Sequence, residues 1–191
     1  MTIGVLALQG DFEKHAAMLQ RIGVPCREVR KVADLESVDA LIIPGGESTT
    51  IGRLMARYGL DIAIRERAQQ GMPIYGTCAG MILLASEIAG SSQERLALMD
   101  IAVIRNAFGS QIESFEADLP FKPFADRPVR AVFIRAPIVS RVGAGVEILS
   151  EFNGKVVAVQ QGKLLATAFH PELTDDERVH RYFLSLVEQR V

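Results

Sequence analysis

The sequence GTCAG at 76–80 places one cysteine, Cys78, between two glycines. A short apolar run at 73–75 precedes this stretch, and an apolar, helix-forming segment follows it at 81–85. The pattern is the cysteine form of the nucleophile elbow, in which glycines permit the strained turn that aims the nucleophile out of the fold. The N-terminus of the following helix favours the thiolate, the reactive form of cysteine. We therefore predict that Cys78 is a nucleophile; a free cysteine packed in the core is the alternative.

A cysteine nucleophile needs a base and a group that orients the base, and His170 and Glu172 are the candidates. His170 follows the apolar run 164–169 and so stands at the end of a predicted strand, where functional groups of α/β folds gather. Glu172 shares a side-chain face with His170 if the backbone stays extended through Pro171. The sequence thus predicts a triad of Cys78, His170 and Glu172. A strand-end histidine bonded to the backbone is the alternative for His170.

The remaining histidines, His15 and His180, fall within predicted helices and are flanked by charged residues. We interpret both as solvated helix side chains without a catalytic role. The three histidines are scattered along the chain, and neither a CxxC nor an HExxH spacing occurs. The expectation is therefore an enzyme without a metal or another cofactor.

A glycine-rich turn, PGGES at 44–48, ends another predicted parallel strand and should lie beside the elbow. We interpret it as part of an oxyanion hole, in which the N–H groups of Gly46 and Ala79 donate to a developing oxyanion. The turn lacks the lysine of the GxxxxGK[ST] motif, which argues against a phosphate loop. A plain strand-to-helix turn is the alternative.

The elements that must position these residues alternate between strand and helix in the first half of the chain. Short apolar runs predict strands before the elbow and at 2–8 and 39–43, the first of these ranges as a strand buried on both faces, and a further strand is predicted at 26–30. Helical periodicity predicts helices at 12–22 (closed by Gly23), from Ser48 or Thr49 through Arg57, and at about 60–70. Either Ser48 or Thr49 is a suitable N-cap for the second of these helices. This alternation is typical of a doubly wound α/β sheet.

After residue 100 the pattern changes to closely spaced strands, which predicts antiparallel additions to a parallel core. Strands are expected at 101–105, 112–119, 129–135, 146–152, 155–160 and 163–169. The dipeptides NG at 153–154 and QG at 161–162 predict turns between strands. The last predicted element is an amphipathic helix over 174–189 that opens with a Thr174-x-x-Glu177 capping box. The predicted fold class is α/β, a doubly wound and mostly parallel sheet flanked by helices, with antiparallel strands added in the second half.

Composition excludes several classes of protein. At 191 residues and 49% hydrophobic content the chain fits one domain, 1–191, and no apolar run approaches the length that spans a membrane. The N-terminus lacks a basic region and a cleavage site, so it predicts a strand rather than a signal peptide. A net charge of −2 without basic clusters argues against nucleic acid, and we expect no nucleic-acid or membrane partner. Two cysteines make no disulfide framework, so we expect a cytoplasmic protein with Cys26 packed in the core.

The motifs PGGES (44–48), GTCAG (76–80) and HPE (170–172) together resemble the class I, triad-type glutamine amidotransferases. A narrower resemblance, to the glutaminase subunits of pyridoxal 5′-phosphate synthase, runs in order from residue 6 to residue 174. Its blocks are LALQGDFEKH (6–15), PGGESTT (44–50), GTCAGMILLA (76–85), RNAFGSQ (105–111), SFEADL (114–119), FIRAP (133–137) and FHPELT (169–174). The joint occurrence of these blocks in this order is highly specific.

The resemblance implies roles for individual residues. Cys78 would be the nucleophile, His170 the base and Glu172 its orienting acid in the hydrolysis of L-glutamine to L-glutamate and ammonia. The implied partner is the synthase subunit that consumes the ammonia, with Gln9 and Gly10 at the contact. An arginine suits the α-carboxylate of glutamine, and backbone groups suit its polar ends. Glutamine recognition is implied for Gly46, Glu47, Ser48, Arg105, Ile134 and Arg135.

Two other functions stay open on the sequence. One is a glutaminase subunit that serves another synthase, for histidine or aminobenzoate synthesis, although the RNAFGSQ and FIRAP blocks argue against it. The other is a non-catalytic binding module on the same fold, in which Cys78 would be inert towards glutamine analogues. A further hypothesis concerns activation: the glycines of 44–46 would let the oxyanion turn complete only when the synthase subunit docks.

Overall fold

A computed structural model of the chain describes residues 1–108, 114–124 and 126–189. Residues 109–111 of the RNAFGSQ block and residues 112–113 of the strand predicted at 112–119 lie outside the described residues. No helix in the described ranges combines the length and the apolar character needed to cross a membrane.

The first half of the chain alternates strand and helix, as predicted. Its elements are β1 (Ile3–Leu6), α1 (Phe12–Ile22), β2 (Cys26–Val29), α2 (Val32–Leu35), β3 (Ala40–Ile43), α3 (Ser48–Arg57), α4 (Leu60–Gln69), β4 (Ile74–Thr77) and α5 (Ala79–Leu84). The strands pair in parallel in the order β2-β1-β3-β4. Every residue of β1, β3 and β4 is buried, which explains why these strands are continuous apolar runs in the sequence.

The second half extends the same sheet with antiparallel strands. Its elements are β5 (Ala85–Ile88), β6 (Met99–Ile104), β7 (Ser114–Leu119), β8 (Val129–Ile134), β9 (Ile138–Val142), β10 (Glu147–Phe152), β11 (Lys155–Gln161), β12 (Leu164–Thr167) and α6 (Arg178–Glu188), with 3₁₀ turns at Lys122–Phe124 and Pro171–Leu173. Strand β12 pairs in parallel with β4, and β11, β9, β6 and β5 follow it outward. Strand β10 pairs with β11, and β7 and β8 form a separate two-stranded sheet. The predicted fold class is therefore confirmed.

A cluster of phenylalanines attaches the two-stranded sheet to the main sheet. Phe115 and Phe133 are directly opposite each other on β7 and β8, and their rings stack with centroids 4.6 Å apart. Phe152 of β10 stacks on Phe115 at 5.3 Å, and Phe169 contacts Phe133 at 5.7 Å. Because Phe169 precedes His170 in the chain, this packing also positions the end of β12.

The predicted hairpin turn at Asn153-Gly154 joins the antiparallel strands β10 and β11. Asn153 and Gly154 have φ values of 49° and 73°, the left-handed conformation at both positions that a type I′ turn requires. Gly162, with a φ of 56°, lies in the second predicted turn, between β11 and β12.

Both predicted helix caps are wrong. Helix α3 begins at Ser48, but its cap is Glu47, whose carboxylate accepts hydrogen bonds from the N–H groups of Thr49 and Thr50 at 3.1 and 2.8 Å. The last helix, α6, begins at Arg178 rather than at residue 174, without a side-chain cap. The Thr174 hydroxyl is engaged elsewhere, because it donates to the Pro171 carbonyl at 2.9 Å.

Three elements and the environment of Cys26 were not foreseen. Helix α2 has a single turn, too short to show a period, and β5 continues the apolar run of α5. Strand β9 lies between two predicted strands, in a stretch for which the sequence predicts no element. Cys26 is exposed at the start of β2, so the expectation that it packs in the core is wrong.

Candidate active site

Cys78 lies at the sharp turn between β4 and α5, with φ 48° and ψ −100°, a strained conformation for a residue with a Cβ. Its N–H donates to the Thr167 carbonyl at 2.8 Å, which ties the turn to β12. Glycine is required on both sides of Cys78 because other backbone atoms approach these two positions closely. A Cβ on Gly76 would lie 2.5 Å from the carbonyl carbon of Gly80, and a Cβ on Gly80 would lie 2.3 Å from the Ile43 carbonyl oxygen. The predicted strand, strained turn and helix are all present.

His170 and Glu172 come together at the end of β12. His170 Nδ1 is 2.7 Å from Glu172 Oε1, and both residues are buried. The backbone does not stay extended as expected, since Pro171–Leu173 forms a 3₁₀ turn that brings the carboxylate back onto the ring. Gly45 leaves room for the imidazole, because a Cβ there would lie 2.3 Å from His170 Cε1.

The electrostatics of this pair follow from burial and hydrogen bonding. Burial lowers the pKa of His170, but hydrogen bonds with Cys78 and Glu172 and the charges of the same groups outweigh it and raise the pKa to about 10. Burial raises the pKa of Glu172, yet the hydrogen bonds of His15 and His170 and the charge of His170 bring it well below its usual range. Glu172 is thus a buried carboxylate held against a protonated His170.

A cavity of about 560 Å³ opens in front of Cys78 and His170. All six residues for which glutamine recognition was implied line it: Gly46, Glu47, Ser48, Arg105, Ile134 and Arg135. Glu172 is buried behind His170, and Ala79 is the first residue of α5, next to Cys78. The lining also includes residues that the sequence did not single out, namely Asp11, Ile82, Asn106 and Ser114. Among the described residues, no three His, Cys, Asp or Glu side chains are grouped so that they could hold a metal ion.

Two further lining residues carry strained backbone. Asn106 and Arg135 have φ values of 49° and 45°, although neither is a glycine. Such conformations cost of order 1–3 kcal/mol each and concentrate at functional sites. Asparagine adopts such conformations more readily than most residues, whereas for an arginine they are uncommon.

The glycine-rich turn is tied to the segment before α1. Gly46 has a φ of 156°, and a Cβ there would lie 2.6 Å from Gln9 Oε1. The Glu47 N–H donates to Gln9 Oε1 at 2.8 Å, and the Asp11 N–H donates to the Gly45 carbonyl at 3.0 Å. Gln9 and Gly10, the expected partner-contact residues, therefore lie against the turn expected to hold the oxyanion.

Comparison with known proteins gives the family. A family model described as the SNO glutamine amidotransferase family matches residues 5–189 of the chain. The chain belongs to this family. The family and the enzyme class expected from the sequence are thereby confirmed.

Relatives of this amidotransferase match it over nearly the full length. A Niallia circulans protein named pyridoxal 5′-phosphate synthase subunit PdxT is 55% identical over 189 residues, 99% of each chain. The protein of the same name from Thermus thermophilus is 56% identical and is matched over 96% of each chain. A solved structure of a glutamine amidotransferase superposes with a TM-score of 0.94 at 52% identity, covering 97% of this chain and 98% of the other. A chain in the solved structure of PurLQS from Thermotoga maritima shares the fold, with a TM-score of 0.68 at 17% identity over 96% of this chain and 97% of its own.

Gln93 is a residue of this amidotransferase that the sequence reasoning missed. Its side-chain oxygen accepts a hydrogen bond from Arg105 Nη1 at 2.7 Å, and its amide nitrogen donates to Ser48 Oγ at 3.0 Å. Gln93 therefore links two of the residues implied in glutamine recognition. It lies in the segment between β5 and β6, where no periodicity distinguishes it from its neighbours.

His15 and His180 are fully buried, so their interpretation as solvated side chains is wrong. His15 Nδ1 is 2.9 Å from His180 Nε2, and His15 Nε2 lies 3.1 Å from Thr77 Oγ1. A positional signal was present in the sequence. Buried apolar residues lie three and four positions after each histidine, Met18 and Leu19 in α1 and Phe183 and Leu184 in α6, which places each histidine on the inner face of its helix.

Proposed function

We propose that this amidotransferase hydrolyses L-glutamine to L-glutamate and ammonia through a triad of Cys78, His170 and Glu172, and that it passes the ammonia to a pyridoxal 5′-phosphate synthase subunit. One observation carries the proposal. The strained Cys78 turn and His170 share the wall of the cavity, and buried Glu172 lies behind the imidazole at 2.7 Å. That order of groups is the one a nucleophile, a base and an orienting acid require.

The chemistry follows from these positions. The Cys78 sulfur attacks the side-chain carbonyl carbon of glutamine, and the N–H groups of Gly46 and Ala79 stabilise the oxyanion. His170 gives its proton to the departing amine, which leaves as ammonia, and a γ-glutamyl thioester remains on Cys78. Water then attacks the thioester while His170 accepts its proton, and the carbon–sulfur bond breaks to release glutamate and restore the cysteine.

Substrate recognition is assigned to the rest of the cavity wall. The Arg105 guanidinium, held by Gln93, suits the α-carboxylate of glutamine. The Glu47 carboxylate is occupied as the cap of α3, and hydrogen bonds from Thr50 and Thr49 outweigh its partial burial and lower its pKa to about 2. We therefore assign the contribution of Glu47 to its backbone. The remaining recognition groups are Gly46, Ser48, Ile134 and Arg135.

The partner is inferred from the relatives and from the product. The relatives are named as subunits of pyridoxal 5′-phosphate synthase, and ammonia is lost to water unless an acceptor enzyme receives it. We propose that Gln9 and Gly10 contact that synthase subunit, and that docking completes the oxyanion turn against which they lie. Any lyase reaction of such a complex takes place in the synthase subunit, which consumes the ammonia, and not in this chain.

The decisive experiment measures glutamate released from L-glutamine by the purified chain, alone and with a pyridoxal 5′-phosphate synthase subunit. We expect a large rise on mixing and a loss of several orders of magnitude in Cys78→Ala. Cys26→Ala is the matched control, because Cys26 is the other, exposed thiol, and it should keep the activity. Equal activity with and without the partner would contradict the docking step, and an active Cys78→Ala would contradict the triad.

Two further proposals concern the chain as a whole. We propose that residues 1–191 form one glutamine amidotransferase domain, which predicts a single cooperative unfolding transition. We also propose a cytoplasmic location, which the two free cysteines support, since an exposed thiol such as Cys26 persists in a reducing compartment. Fractionation of cells that produce the tagged chain tests the location.

A further inference from the structure

The Glu172 carboxylate is held by one oxygen only. Oε1 lies 2.7 Å from His170 Nδ1 and 3.4 Å from His15 Nε2. Oε2 is buried and has no hydrogen-bond partner among the described residues. The position of the carboxylate therefore depends on two histidines, one from the end of β12 and one from α1. Only the first belongs to the proposed triad.

The proton positions along the buried contacts can be assigned from hydrogen-bonding capacity. Burial lowers the pKa of His180 to about 3, so this ring is neutral and carries one N–H. His180 Nδ1 has no partner among the described residues, and buried N–H groups without a partner are rarer in proteins than buried acceptors with an unused lone pair. The proton therefore belongs on Nε2, which donates to His15 Nδ1 at 2.9 Å.

This assignment also determines the proton position on His15. Because His15 Nδ1 accepts from His180, its own proton lies on Nε2, which faces Glu172 Oε1 and Thr77 Oγ1. The N–H groups then point in one direction, from His180 to His15 and from His15 to its two acceptors, Thr77 Oγ1 at 3.1 Å and Glu172 Oε1 at 3.4 Å. On its other side Glu172 accepts from His170 Nδ1, which leaves His170 Nε2 directed at Cys78.

We infer that His15 is a positioning residue: its Nε2–H, oriented by His180, holds the Glu172 carboxylate in the geometry that aligns His170 with Cys78. The inference rests on the proposed triad. The side chains of His15, His180 and Glu172 are fully or almost fully buried. Water therefore does not replace a lost hydrogen-bond donor at low cost. Two other titratable groups interact with this network: Tyr75 of β4, whose phenol contacts Thr167 Oγ1 at 3.0 Å and whose pKa is raised by burial and by the Glu172 charge, and Arg21 of α1, whose charge acts on His180.

The test compares His15→Leu with Leu19→Ala, a core substitution on the same helix, in the complex with the synthase subunit. We expect His15→Leu to lower kcat about 10- to 100-fold, by analogy with the loss when groups that orient metal-binding side chains are removed, with little change in KM. The acid limb of the kcat/KM profile should also move to higher pH, because Glu172 loses a donor that favours its ionised form. Leu19→Ala should unfold more easily without moving that limb.

If His15→Leu does not fold, a second pair of variants tests whether the Nε2–H of His15 positions Glu172. The amide of His15→Gln reaches the position of the imidazole Nε2, whereas that of His15→Asn reaches only the position of Nδ1. We expect the glutamine variant to keep clearly more activity. Equal activity of the two variants, or an unchanged pH profile in His15→Leu, would overturn the inference while leaving the proposed function intact. Loss of glutamate release in the unmodified complex would instead contradict the proposed function.

Discussion

At the scale of single residues, Glu172 is the group whose charge matters most to the site. It is buried, it is ionised, and its partner His170 depends on it for both orientation and charge. A neutral amide of the same shape would keep the packing and remove the charge that stabilises the protonated imidazole.

Glu172→Gln should therefore lower kcat by about 10³- to 10⁴-fold, comparable to the loss when the orienting acid of a serine protease triad is replaced by its amide. KM for glutamine should change little, because Glu172 does not line the cavity. Steady-state kinetics of the complex measure both constants. Glu177→Gln, which changes a partly exposed carboxylate at the start of α6, is the control. Activity of Glu172→Gln near that of the unmodified chain would remove Glu172 from the triad.

Gln93 leads to a different prediction, because it contacts Arg105 and Ser48, two residues proposed to recognise glutamine. Gln93→Ala frees the Arg105 guanidinium and leaves Ser48 Oγ without its amide donor. We expect KM for glutamine to rise about tenfold, which corresponds to the roughly 1.4 kcal/mol that one lost charged hydrogen bond costs, while kcat stays within a small factor. Gln93→Glu should restore a contact to Arg105. A lowered kcat with unchanged KM would show that Gln93 acts on the chemical step instead.

At the scale of elements, the elbow works because three backbones approach unusually closely. Helix α5 begins directly at the cysteine, and its Gly80 lies against the carbonyl of Ile43 at the end of β3. Strand β4 approaches the same helix at Gly76. The glycines at the two ends of GTCAG are therefore packing requirements as much as conformational ones.

Gly80→Ala tests this packing. Its Cβ would meet the Ile43 carbonyl oxygen at 2.3 Å, so a strand or the helix must move. We expect the free energy of unfolding to fall by about 1–3 kcal/mol, as for an overpacked core, together with a loss of glutaminase activity as Cys78 shifts. Denaturant titration and activity are the measurements. Gly71→Ala is the comparison, because that glycine has a φ of 91° but open space around it and lies away from the site. An equal effect of both substitutions on stability, with activity retained, would contradict the packing argument.

At the scale of the whole molecule, three buried groups make stability depend on pH in opposite directions. Folding lowers the pKa of His180 from 6.5 to about 3 and also lowers the pKa of Glu172. Both groups therefore bind protons more readily in the unfolded chain, so acid favours unfolding. Folding raises the pKa of His170 from 6.5 to about 10, so this residue binds its proton more readily in the folded chain. The contribution of protonated His170 to the free energy of unfolding is fully present below about pH 6.5 and is lost as the pH rises towards 10.

We therefore expect the free energy of unfolding to be greatest near pH 6.5 and to decline on both sides. Urea titrations across the pH range measure this curve. His180→Asn should flatten the acid side between about pH 3 and 6.5, where His180 titrates differently in the two states, and should leave the alkaline side unchanged. A stability that keeps rising above pH 7 would contradict the assignment of a protonated His170.

Much of the architecture was predictable because its signals are local. The apolar runs of β1, β3 and β4, the helix α1 with its terminal Gly23, and the NG turn between β10 and β11 each depend on a few neighbouring residues. The places of Cys78 and His170 were also predictable, because each residue comes at the end of a predicted strand. The proposed recognition roles of Arg105 and Arg135 came only from the family resemblance, since nothing local distinguishes these residues from other arginines.

The sequence by itself therefore determined the family and the fold class, and it supplied the positions of the proposed catalytic groups along the chain. Only the tertiary structure decided which distant side chains share one buried space. Glu172 meets His15, 157 positions earlier, and Gln93 meets Ser48, because sheet order brings together segments that the chain keeps apart. Apolar residues near His15 and His180 mark the inner faces of their helices, but the contact between the two rings depends on how α1 and α6 pack. Such contacts arise from long-range packing, which no local pattern of residues records.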